Sequence, residues 1–201
     1  MLEALNGARS SDVPCGGCTA CCTSAQFVPV GPDEVDVLTH IPPPLRFPAP
    51  HRPEGHCVLG FDSEGRCPML VDSGCSIYEH RPRACRTYDC RIFAASGVEA
   101  GEGKEAVAER VAQWRFEYPG TADAADQEAV RNAASFLHDN GDLLPEDLRP
   151  ITATQRAVVA LESHHVFLTP RVGASASARD PATIRDDVVA AIALRRRNVG
   201  A

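Results

Sequence analysis

No stretch of this chain approaches the roughly 18 uninterrupted apolar residues of a membrane-spanning helix, so the sequence points to no membrane span. The opening residues, MLEALNGARSSDVP, lack the cationic start and apolar run of a secretory leader, and a cytoplasmic protein is expected. Basic excess is missing as well. Twenty Lys and Arg stand against 27 Asp and Glu, a net charge of −7. That balance argues against a nucleic-acid surface and leaves a small anionic ligand open. Nor is there a phosphate or S-adenosylmethionine loop between a strand and a helix. SGVEAGEGK at 96–104 lacks the GxxxxGK[ST] spacing and reads as the connection between two parts. Internal repeats are absent. Cysteine is absent too, but only after position 90.

All nine cysteines (15, 18, 21, 22, 57, 67, 75, 85 and 90) precede that point. In a reducing cytosol they remain thiols, so their clustering favours metal or redox chemistry over a disulfide framework. The same part is rich in chain breakers: IPPPLRFPAP at 41–50, then HRPEG, SEGRCP and DSGCS. Such a segment forms little regular structure without a fastening, which a bound metal supplies. One helix is expected after Gly31 and Pro32, with Val35, Val37 and Leu38 facing inward. Val58–Leu59 and Ile77–Tyr78 read as short strands.

The remainder reads as helices. Val107, Val111, Trp114 and Tyr118 recur on one stripe up to Pro119. Asp123 is placed to cap a second helix, with Val130, Ala133 and Leu137 inward and Asn140–Gly141 ending it. A third spans about Thr154 to Ser163, with Ala157, Val158 and Leu161 inward, and an extended VFLTP follows. GASASARD reads as a linker. In the last helix Asp180 caps, Pro181 takes the first position, and Ile184, Val188 and Ile192 are buried. Arg195, Arg196 and Arg197 end it, as a solvated terminus or a basic contact. The fold class expected is mixed and mostly α. An irregular, cysteine-rich metal-binding half with few short strands, residues 1–95, precedes a helical half, residues 96–201.

CGGCTACC puts Cys15, Cys18 and Cys21 at the C-x2-C-x2-C spacing of a ferredoxin loop, with Cys22 next in place of the x3-C-P continuation. Neighbouring side chains in an extended or turn segment point to different sides, which favours a multinuclear centre or two nearby sites over one tetrahedral ion. Cys67, Cys75, Cys85 and Cys90 bring the thiols to eight, and Cys57 stands as an alternative to Cys90. Arg81, Arg83, Arg86 and Arg91 are placed to offset thiolate charge, or else are surface arginines. Pro82 holds Arg81 extended. His51, His56 and His80 lie near the cysteines as alternative ligands or exposed groups, and His164–His165 receive no role.

CGGCTACC with CPMLVDSGCSIYEHRPRACRTYDC resembles the YkgJ-like CxxCxxCC cysteine-cluster family of zinc- or iron-chelating domains. The resemblance rests on Cys15, Cys18, Cys21 and Cys22, then on Cys67, Pro68, Leu70, Cys75, Ile77, Tyr78, Arg81, Pro82, Cys85 and Arg86. It covers roughly residues 13–92 and implies metal chelation, with Arg81, Arg86 and Tyr78 as outer partners of the ligands. Relatives linked to lysine N-methylation of flagellin imply a cluster-dependent protein-modifying enzyme as an alternative. The expected cofactor is an iron–sulfur cluster, with zinc the other metal. With zinc, the chain is a stapled module whose helical half meets a protein partner. A thiol-oxidation switch at the vicinal pair is the remaining reading.

Overall fold

The computed structural model describes residues 17–50, 52–72, 74–168 and 179–199, the last four by backbone alone. Cys15, His51 and most of GASASARD lie outside the described residues, as do the side chains of Arg196 and Arg197. The chain forms two compact units. One takes the described residues up to Cys90 together with Glu102–Gln113; the other takes Arg91–Gly101 and the described residues from Trp114 onward.

The cysteine unit is built from short pieces. Strands β1 (Val28–Val30), β2 (Arg46–Pro48) and β3 (Cys57–Leu59) form an antiparallel sheet with β3 in the middle. Val30 and Pro48 both face Cys57 in register. A second ladder pairs β4 (Leu70–Val71) with β5 (Gly74–Cys75). Helix α1 (Val35–His40) buries Val37, whereas Val35 is 66% exposed. The inward assignment of Val35 is therefore corrected: the helix begins at Val35 itself, one residue after Glu34, so Val37 and Ile41 take the inner face. Val30, Val37, Ile41, Leu59, Met69 and Ile77 make one small core, with Cys57, Cys67 and Cys75 packed on it. Ile77 and Tyr78 are not a strand. They lead into a 3-10 turn, Tyr78–His80, and Arg81 is extended before Pro82 as expected (ψ 140°). Helix α2 (Arg83–Thr87) follows.

Helix α3 (Arg91–Ser96) begins the second unit, while α4 (Glu105–Ala112) belongs to the first. The stripe expected to run to Tyr118 ends at Ala112. Val107 is fully buried, but Tyr118 is 46% exposed and Trp114 lies beyond the helix. A repeat of apolar residues keeps a chain helical only where packing covers the whole stripe.

In the helical unit α5 (Thr121–Asn140) packs on α6 (Ala153–Ser163) and α3, and α6 packs on α7 (Pro181–Val199). The core joins Ala133, Phe136, Leu137, Ala160, Val188 and Ile192. Asp123 sits inside the first turn of α5, where its Oδ2 accepts the Gly120 N–H at 2.9 Å, rather than at the cap position itself. Thr152 and Gln155 close a reciprocal capping box on α6. Asp180 caps α7 by accepting the Ala182 N–H at 3.2 Å. Val158 is 38% exposed, not inward. Val166 and Phe167 form a 3-10 turn (His164–Phe167) rather than an extended segment, bringing Phe167 to 5.7 Å from the Phe136 ring. No helix of the described residues is long and apolar enough to cross a membrane.

Candidate metal centre

Three local devices bring the cysteine runs together. A 3-10 turn, Ala20–Thr23, holds Cys21 and Cys22, and its Ser24 hydroxyl donates to the Ala20 carbonyl at 2.6 Å. The loop before Cys67 is tied by Asp62, whose Oδ1 accepts the backbone N–H of both Glu64 and Arg66 at 2.9 Å. Ala25 then donates its N–H to the Gly65 carbonyl at 2.8 Å. Gly65 has φ +76°, and a Cβ there would stand 3.3 Å from the Ala25 side chain, so the close approach requires glycine. Finally, Glu34 accepts the Gly31 N–H through Oε2 and the Arg83 N–H through Oε1, at 2.9 and 2.6 Å. The second bond satisfies a first-turn donor of α2, the helix that carries Cys85.

The outcome is a cavity of about 70 Å³ lined by six thiols: Cys18, Cys21, Cys22, Cys67, Cys75 and Cys85. Leu59, Met69, Ile77 and Pro82 supply apolar wall, and Arg81 is the one cation among the described lining residues. No disulfide joins the eight described cysteines. Cys21 and Cys22 do not point apart. On the tight turn both face the cavity, and the Cys22 thiol donates to the Cys21 sulfur. The expectation drawn from alternating side chains belongs to an extended chain, and a 3-10 turn does not meet it.

Cys57 and Cys90 are not among the lining residues. Cys57 sits on β3 against the apolar core, where burial raises its thiol pKa. Tyr88 is raised by burial first, then by Cys21 and Cys90. Of the arginines, Arg81 is nearly buried. Its guanidinium lies 3.7 Å from the Tyr78 ring centroid, and its Nε–H donates to the Tyr78 carbonyl at 2.8 Å. Arg83 is a surface residue paired with Asp33, and Arg91 stacks on Trp114 at 5.6 Å. Arg86, on α2, does not line the cavity. His56 is half-buried, and its Nδ1 meets the Pro53 carbonyl at 3.1 Å.

The electrostatics fit a cation. Burial pushes the Cys85 thiol up to about 12 and raises Cys67, because the charged form there forgoes hydration. Cys22 is held protonated by its bond to Cys21 and by burial. Cys21 moves down, through that same bond and the Arg81 charge. Cys22, Cys67 and Cys85, which resist ionisation, give up their protons to a metal more readily than to water, and soft thiolate donors select zinc, copper(I) and iron–sulfur centres.

Residues 14–109 match the CxxCxxCC family, whose description is "Putative zinc- or iron-chelating domain". No curated protein and no solved structure matches the chain. Over residues 14–109 the chain is thus similar to the zinc- or iron-chelating domain of that family, which supports metal binding.

Proposed function

We propose that the cavity holds an iron–sulfur cluster and that the protein works as a redox carrier. The observation that carries this reading is the convergence of six thiols on one small, apolar-walled cavity. A cluster or one tetrahedral zinc takes four of these thiols, and the ferredoxin-like C-x2-C-x2-C spacing of the first run favours the cluster. Ligands are drawn from Cys18, Cys21, Cys22, Cys67, Cys75 and Cys85, with Cys15 available from the matching motif and Cys57 and Cys90 outside the set. A bound cluster would supply one-electron chemistry. The chain's own part is to exclude water with Leu59, Met69 and Ile77 and to place the Arg81 charge beside the sulfurs, both of which tune potential. The lining comes wholly from one unit, which supports a held centre over a substrate pocket and so over the protein-modifying reading.

Zinc is the second reading, because six thiolates also suffice for two zinc ions that share ligands, and a loop-rich unit gains folding free energy from either metal. The deciding experiment is metal and acid-labile sulfide content, with a visible spectrum, on protein purified without oxygen. Iron and sulfide in comparable amounts, with colour bleached by dithionite, is the expected result. Stoichiometric zinc without sulfide or colour would overturn it.

A further inference from the structure

Helix α1 places Asp36 and His40 one turn apart, so their side chains share a face. The 3-10 turn Tyr78–His80 brings a third donor to the same point, held there because Ile77 packs in the core with Val37 and Ile41 of that helical segment. His80 Nδ1 lies 2.7 Å from Asp36 Oδ2, and His40 Nδ1 lies 3.8 Å from Asp36 Oδ1. The two imidazoles stack with centroids 3.6 Å apart and planes 7° from parallel. His40 Nδ1 also meets the Asp36 carbonyl at 2.8 Å and the Thr39 hydroxyl at 3.1 Å. One ligand atom from each of Asp36, His40 and His80 falls within 4.8 Å of the others.

We infer that Asp36, His40 and His80 form a second metal site, of nitrogen and oxygen donors, for a divalent first-row transition cation. Two imidazoles and one carboxylate are the donor set of three-ligand zinc and ferrous sites, with the remaining positions left to water. The site is separate from the cysteine centre in chemistry as well as in place. Borderline donors take a dication without the soft-metal preference of thiolates. His80 Nδ1 and Asp36 are hydrogen-bonded to each other, so the carboxylate is ionised and oriented before a cation arrives.

Bonds of about 2.0–2.2 Å set the donor atoms roughly 3–3.5 Å apart, so a cation entering between His80 and Asp36 opens their 2.7 Å contact, draws in the more distant donor and takes the rings out of their stack. The histidine side chains are 38% and 39% exposed and Asp36 is 70% exposed, and none of the three belongs to the apolar core. His80 lies between Tyr78 and Arg81, which both line the cysteine cavity. A cation here therefore binds the outer side of the same short segment that borders the thiols.

The test is cobalt(II) uptake by the full chain, purified without oxygen and with its cysteine-held metal already measured. Equilibrium dialysis should show one added cobalt per chain without the near-ultraviolet thiolate-to-cobalt band. His80→Ala and Asp36→Asn should lose that equivalent at the same free cobalt concentration while keeping their iron, zinc and sulfide content and their circular dichroism. No added cobalt, equal uptake in the variants, or uptake accompanied by the thiolate band would each overturn the site. An independent readout on the unaltered chain is the proton spectrum of the cobalt form, where two paramagnetically shifted, exchangeable imidazole N–H signals are expected and their absence overturns the site. The cysteine centre's metal is measured on the same samples, so a failure of the iron–sulfur reading is seen separately from a failure of this one.

Discussion

Cys67 donates its backbone N–H to the Cys22 carbonyl at 2.7 Å, joining the two cysteine runs through main chain rather than through sulfur. The bond puts Cys22 and Cys67 on one wall of the cavity and leaves Cys75 on β5 and Cys85 on α2 to close the others.

Ligand removal should follow cavity lining. Cys85→Ser is expected to lose most bound metal and to lower the melting temperature of the protein, because a cavity-lining thiol disappears from the set. Cys57→Ser and Cys90→Ser should keep their metal. Metal per chain, measured by mass spectrometry on anaerobic samples, decides this, and equal loss in all three variants would contradict the assignment.

Arg81 is the positive charge on the cavity wall. Arg81→Gln removes it, and for the proposed cluster losing a neighbouring cation favours the oxidised, less negative state. The midpoint potential should therefore fall, with Arg81→Lys lying between the two. Spectroelectrochemical titration reads the shift, and an unchanged potential in Arg81→Gln would count against the charge role.

Removing the metal should make the protein alkali-sensitive. The folded-state pKa of Cys85 is raised to about 12 from an ordinary value of 9.0 by burial, so the folded chain holds that proton more tightly than the unfolded one. Its contribution is present below about pH 9 and is lost as pH rises from there through about 12. Melting curves of chelated protein should show stability falling over that window. In the loaded protein the dependence reverses at low pH, where protons compete with metal for the thiolates and metal release increases.

In the helical unit, Leu137 is 2% exposed within the core of α5, α6 and α7. Leu137→Ala should cost about 2–5 kcal/mol, the transfer and cavity loss of a buried leucine. Thr152→Ala removes the cap of α6 and should cost about 1 kcal/mol. Urea denaturation distinguishes the two, and a Leu137→Ala loss no larger than that of the cap variant would contradict its place in the core.

What local sequence determined is largely local chemistry. Asp180 and Pro181, Asn140 before Gly141, and the buried set Val130, Ala133 and Leu137 specify where helices begin, end and face, because caps and 3.6-residue periodicity act within a turn or two. The cysteine spacing likewise pointed to metal chemistry, which the match to a zinc- or iron-chelating domain over residues 14–109 supports. Tertiary structure decided the rest. Trp114 and Tyr118 continue the periodicity of α4, but that helix stops at Ala112. Val35 was expected inward, yet the face of α1 that meets the core is set by Val37 and Ile41. Which six thiols share one cavity, and that Asp36 meets His80 across 44 residues, depend on backbone bonds such as Cys67 to Cys22 and on the packing of Ile77. Spacing along a chain sets which groups are near by connectivity; only packing of distant segments sets which are near in space.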